Sequence, residues 1–141
     1  MERRDFIKNC ATACAVGVGI SFLMQSCGSL YYANSSVESN KLKIKKTEFV
    51  DSKNQERKFI IVRTELLAFP ICVYKKSGEF TALYMQCTHQ GCELQPNKIS
   101  LVCPCHGSEF TTDGKVQSPP ADKDLKKFNV ITDNENIYIE I

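Results

Sequence analysis

The chain is poor in several things that would otherwise define it. Formal net charge is only +2, from 18 basic and 16 acidic residues among 141. A nucleic-acid binder concentrates basic residues on one face or helix, so no nucleic-acid partner is expected. The longest apolar run, 10–24, holds 15 residues, short of the roughly 20 a spanning helix needs. After it no stretch repeats its apolar residues with helical period, which leaves strands as the building material. No internal repeat or low-complexity segment is visible. There are only two histidines, His89 and His106, so chemistry that needs more imidazoles is beyond this chain alone. The hydrophobic share, 43%, and the charged share, 24%, are ordinary for a globular protein of one domain and a tail.

Cysteine is what the chain has in plenty. Four of its eight cysteines and both histidines lie between Cys87 and Phe110. The first box reads Cys87-Thr88-His89-Gln90-Gly91-Cys92. The second reads Cys103-Pro104-Cys105-His106-Gly107-Ser108-Glu109-Phe110. Thiolate and imidazole are the ligands of borderline and soft metals, so the crowding points to a metal site. Two cysteines and two histidines suit either a tetrahedral zinc or one iron–sulfur cluster. Zinc would leave Cys92 and Cys105 without a role.

The pair CTHQGC and CPCHGS resembles the two boxes of the Rieske family, whose [2Fe–2S] cluster is held by two cysteines on one iron and two histidines on the other. The resemblance implies that Cys87 and Cys103 bind one iron, and His89 and His106 the other. It implies a disulfide between Cys92 and Cys105, as in the high-potential branch, and with it an oxidising compartment. Gln90, Gly91, Gly107, Ser108 and Phe110 would surround the cluster. The two glycines admit a close backbone and positive φ, and Pro104 stiffens its loop. Ser108 stands where the family's serine donates to a bridging sulfide and raises the potential. Phe110 departs from the tyrosine of high-potential members, so a lower potential is expected. Ser118-Pro119-Pro120-Ala121 matches a third, proline-containing loop that shields the cluster. The spacer from His89 to Cys103 has 13 residues, shorter than expected of the respiratory-complex type.

The start of the chain is different in kind. Arg3-Arg4 before Phe6-Ile7-Lys8 resembles a twin-arginine export signal, and the apolar run reads as its core. Ser26-Cys27 at its end resembles a bacterial lipobox, although Gln25 fits poorly, which would make Cys27 a lipidated residue. The alternative is an uncut signal anchor. The division expected is therefore 1–27 signal or anchor helix, 28–40 flexible linker, and 41–141 Rieske domain with its cluster-binding part at about 86–121.

Within the body, Leu42 and Ile44 alternate with lysines, the period of a half-buried strand. Further strands are expected over 57–64, 69–75, 80–85, 99–102 and 109–111, with a hairpin of 125–132 and 137–141. Turns are expected at 76–79, 96–98 and 112–115. Cys72 reads as a small core residue. The expected fold is all-β: a small antiparallel sandwich with a cluster-binding subdomain of two loops.

The family resemblance implies one-electron transfer, and the leader makes the protein an exported one, membrane-anchored and facing the periplasm. Its partner would be a cytochrome or an oxidoreductase large subunit, and quinol could approach the histidines. It would act as a subunit of a quinol–cytochrome c oxidoreductase, of an arsenite-oxidase-like enzyme, or as a free carrier. The short spacer and Phe110 tilt against the respiratory-complex subunit. An oxygenase needs a further iron on two histidines and a carboxylate, which two histidines cannot supply. An oxygenase ferredoxin and a structural-zinc lipoprotein are the remaining alternatives.

Overall fold

The computed structural model describes residues 30–141; the leader and Cys27 lie outside them. Among the described residues there are eleven strands and one turn of 3-10 helix, Lys46–Phe49. No helix there is long and apolar enough to cross a membrane. The strands are β1 (Ser36–Glu38), β2 (Lys41–Lys45), β3 (Phe59–Val62), β4 (Ile71–Lys76), β5 (Glu79–Tyr84), β6 (Gln95–Pro96), β7 (Ser100–Val102), β8 (Glu109–Thr111), β9 (Val116–Ser118), β10 (Lys127–Thr132) and β11 (Asn136–Glu140).

Seven of them form a base sheet in the order β1-β2-β11-β10-β5-β4-β3, and four a smaller sheet in the order β6-β7-β8-β9. All pairings between strands are antiparallel. β10 joins the two halves of the base: Lys127 and Phe128 pair with β5, while residues 129–132 pair with β11.

The residue pattern explains which faces are covered. In β2 and β11 only Leu42, Ile44, Ile137 and Ile139 are buried, the alternation of a sheet with one wet face. β3 and β4 carry unbroken apolar runs because both of their faces are covered. Ile60, Val62, Ile71, Val73 and Ala82 turn toward the base core with Phe49 and Phe128. Ile61, Cys72, Tyr74 and Leu83 turn the other way, under the small sheet, against Leu94, Leu101, Phe110 and Leu125. A fully buried side chain of this size is worth about 1.5–3 kcal/mol, so this second core fixes the small sheet on the base.

Residues 28–40 were expected to be a flexible linker. From Tyr31 onward they are part of the domain. Ala33 N–H donates to Ile61 O, Ile61 N–H donates to Tyr31 O, and β1 pairs with β2. The Tyr31 hydroxyl donates to Glu48 at 2.6 Å, and Arg57 lies over its ring at 3.8 Å. The polar, serine-rich composition concealed this, because the segment joins the domain through backbone bonds and only two packed side chains, Tyr31 and Ala33. Two of the three lysines of β2 are paired, Lys41 with Glu140 and Lys43 with Glu38.

Candidate metal centre

β5 leads into the first box and β7 into the second, and a Cys92–Cys105 bridge and adjoining histidine rings put both boxes at one end of the molecule. Each then folds into the same loop. Gly91 N–H donates to Cys87 O and Cys87 N–H to Cys92 O. Four and five residues along the second box, Gly107 N–H donates to Cys103 O and Cys103 N–H to Ser108 O, all within 2.8–3.0 Å. The turns close only with a residue in the left-handed region, and φ is +76° at Gly91 and +78° at Gly107. That conformation costs a side-chain-bearing residue about 1–2 kcal/mol, which is why each box carries glycine there.

The structure brings His89 and His106 together, and Cys103 together with Cys92 and Cys105; Cys87 is buried on the first loop and is not part of that sulfur group. Cys87 and Cys103 are both free thiols at 2% exposure. The rings of His89 and His106 meet edge to face with centroids 5.0 Å apart. His106 is exposed, whereas His89 is half-buried. Nδ1 of His89 is the one buried side-chain polar atom among the described residues without a hydrogen-bond partner. A buried nitrogen left unpaired costs roughly 1–3 kcal/mol, and a metal bond is the partner that would remove the cost.

Cys92 and Cys105 are joined in a disulfide. Cys103 Sγ lies within 4.8 Å of both their sulfurs, but sulfurs bonded to each other offer no thiolate. They are therefore not ligands; they tie one loop to the other. The expectation that two of the four cysteines are spare for a bridge is met, and the donor set left is two thiols and two imidazoles.

The proline segment is bound to both loops. Ala121 N–H donates to Ser108 Oγ at 3.0 Å, and Thr88 Oγ1 donates to Lys123 O at 2.7 Å. Ser108 is fully buried. Its oxygen is occupied as acceptor, so its own proton remains for another acceptor, as a sulfide would be. Pro119 and Pro120 are exposed, joined by a cis peptide. Gln90 and Pro104 are exposed on the loops, and Phe110 is wholly buried beneath them.

Two supporting residues escaped the sequence reading. Thr88 had no signal beyond its hydroxyl. Tyr74 could have been found as a phenol in an otherwise apolar strand. Its hydroxyl reaches Asn97 O and Ser100 O, both at 2.9 Å, which ties the base sheet to the turn below β7. Burial raises the pKa of Tyr74 and of the neighbouring Cys72 thiol, so Cys72 stays protonated and inert in the core.

Known proteins show the same pattern. The family description Rieske [2Fe-2S] domain matches residues 37–129. The cytochrome b6-f complex iron-sulfur subunit of Chlorobaculum tepidum is 34% identical over 73 residues, 50% of this chain and 40% of that protein. The subunit of the same name from Prochlorococcus marinus (strain MIT 9303) is 40% identical over 55 residues, 38% of this chain and 31% of that one. The chain thus spans 40% or less of the length of these curated relatives. Among solved structures, the cyanobacterial plasma membrane Rieske protein PetC3 from Synechocystis PCC 6803 aligns with a TM-score of 0.53 at 33% identity, over 60% of this chain and 87% of that one. A chain in the complex of reduced oxygenase and oxidized ferredoxin in carbazole 1,9a-dioxygenase aligns with a TM-score of 0.54 at 24% identity, over 73% and 94%; that likeness is of fold alone.

Proposed function

From the premise that this chain belongs to the Rieske [2Fe–2S] domain family, we propose that it transfers single electrons through one cluster held by Cys87 and Cys103 on one iron and His89 and His106 on the other. The observation that carries the ligand assignment is the donor set itself. Two buried thiols, two adjoining imidazoles and an unpartnered Nδ1 of His89 sit on two loops of one shape. A bound cluster of this type supplies a reversible one-electron couple, raised in potential because neutral imidazoles replace two thiolates.

The residues around it do the rest. The disulfide keeps the loops from parting, and the Ala121–Ser108 and Thr88–Lys123 bonds hold the following segment against one loop each. Pro119 and Pro120 cover one flank, and His106 offers an exposed imidazole edge to a partner. Both cluster loops and the proline segment, 87–92, 103–108 and 118–121, are free of charged side chains. A surface of that kind suits a quinol or the apolar rim of a haem better than a strongly charged substrate. The kinship with cytochrome b6-f iron-sulfur subunits supports a cytochrome-containing partner. It outweighs the short spacer and Phe110, which pointed away from a respiratory-complex subunit. The oxygenase reading has no histidines left to support it, since both belong to the cluster.

The second part of the proposal concerns place. Arg3-Arg4, the apolar run 10–24 and Cys27 support export as a folded protein and anchoring on the outer face of the cytoplasmic membrane. An oxidising compartment would preserve the Cys92–Cys105 bridge. Purifying the protein from membranes with its partners attached tests both parts. The expected result is co-purification with a cytochrome and an n = 1 redox titration. Recovery from the cytoplasm, without redox-active partners, would contradict it.

A further inference from the structure

Opposite the cluster, the domain carries a basic cleft that electron transfer leaves unused. β4 and β5 meet at Ser77–Gly78, and β7 starts from the turn at Asn97–Ile99; both turns lie at the strand ends remote from Cys87 and Cys103. The cleft between them has a volume of about 560 Å³, with Lys58, Lys75, Lys76 and Lys98 on its walls. Glu56 is the one acid among its lining residues and is paired with Lys75. Among the described residues Lys58, Lys76 and Lys98 form no ion pair, and all three are exposed. Ile99 also lines the cleft and is 80% exposed.

A neighbouring cleft of about 480 Å³ shares Glu56, Lys58 and Lys98 and is lined in addition by Leu30. Leu30 is the first described residue, so the chain enters the domain beside this face. The 29 preceding residues contain the apolar run 10–24.

We infer that this face seats on anionic phospholipid headgroups, with Lys58, Lys76 and Lys98 toward the phosphates and Ile99 dipping into the interface. Cations around an exposed aliphatic side chain are the composition of an interfacial contact, and each lysine near such a surface changes partitioning by about five-fold. The bilayer is favoured over an acidic protein because an anchor attached through Leu30 would keep this face at high effective concentration beside it. Seated so, the domain turns its cluster loops away from the bilayer, which favours the haem rim over the quinol as the partner those loops meet. The inference rests on reading the leader as a membrane anchor; the anchor supplies proximity and the face supplies orientation.

The test uses the full chain, which contains no tryptophan, so that Ile99→Trp reports on this position alone. The holoprotein is mixed with vesicles of phosphatidylcholine, and with vesicles in which part of that lipid is replaced by phosphatidylglycerol. Flotation reads anchoring and emission wavelength reads seating. The expected result is flotation with both compositions, and a blue shift with the anionic vesicles alone that salt reverses. Adding Lys58→Glu, Lys76→Glu and Lys98→Glu should abolish the shift while flotation persists. Flotation with no shift on anionic vesicles overturns the inference and leaves the anchor standing. A shift on anionic vesicles without flotation on phosphatidylcholine supports the face and overturns the anchor. No flotation and no shift overturn both. A shift that survives the three substitutions, or that soluble polyglutamate produces equally well, overturns the assignment to lipid.

Discussion

The two cluster loops share a backbone and differ in almost everything attached to it. Both close a turn on a cysteine with a positive-φ glycine four residues on. In the first, histidine follows the cysteine by two positions; in the second, by three. His89 is half-buried and His106 exposed. Cys103 lies beside the disulfide sulfurs, and the second loop alone supplies the buried serine that fixes the proline segment. One turn is thus used twice: once to present an inward imidazole and once to present an outward one. A cluster held between them gains a sheltered side and a side open to a partner.

The largest effects should come from the donors. His89→Ala and His106→Ala are both expected to leave the purified protein without iron, as are Cys87→Ala and Cys103→Ala. The loops part company in the stability of the metal-free protein. His89→Ala removes a buried nitrogen that has no partner without metal and should raise Tm, while His106→Ala, at an exposed position, should leave it nearly unchanged. Iron analysis and thermal melts check this, and equal melts for the two histidine variants would break the comparison.

Next comes the tie between the loops. The disulfide closes a sequence separation of 13, for which loop entropy predicts about 3 kcal/mol of stability. Cys92→Ser with Cys105→Ser should lose about that much in denaturant unfolding and shorten the lifetime of the cluster. No loss would mean that the hydrogen bonds to the proline segment suffice.

A smaller effect isolates the shared backbone. A Cβ at position 107 would meet nothing within 4 Å, and one at 91 would meet only the flexible end of Gln86 at 3.4 Å. Gly107→Ala and Gly91→Ala should therefore each cost about 1–2 kcal/mol, almost all of it backbone strain. Unequal costs, read from urea midpoints, would show that the loops are not equivalent.

The smallest shift belongs to Phe110, which is wholly buried in the core shared with both cysteines. Phe110→Tyr adds one donor. A hydrogen bond to ligand sulfur worth about 0.5–1.5 kcal/mol raises a one-electron potential by about 20–60 mV. A redox titration of both proteins measures it, and an unchanged or lower potential would count against the expected role of this position.

The sequence made the site easier to read than its supports. Cysteine and histidine at fixed spacing are rare, so the two boxes stood out, and so did strands whose residues alternate, such as Leu42 and Ile44. The base strands β3 to β5 were visible as apolar runs between turns. What stayed hidden was held by backbone and edges. β1 and Tyr31–Ala33 looked like linker because the serine-rich residues 34–40 around β1 are polar. β6 contains Pro96, which suggested a turn; as an edge strand with an outer side left unpaired, it tolerates a residue that cannot donate there. β9, two half-exposed residues around an exposed Gln117 beside a bulge, has too little pattern to recognise. Thr88 and Ala121 act through single hydrogen bonds to residues 35 and 13 positions away, which no local pattern records.

The most direct measurement is pulsed EPR of the reduced protein carrying 15N-labelled histidine. The account predicts a rhombic low-temperature signal coupled to two histidine nitrogens, with either coupling lost in any His89 or His106 variant that still assembles a cluster. A colourless protein with stoichiometric zinc, or a cluster signal free of nitrogen coupling, would contradict it.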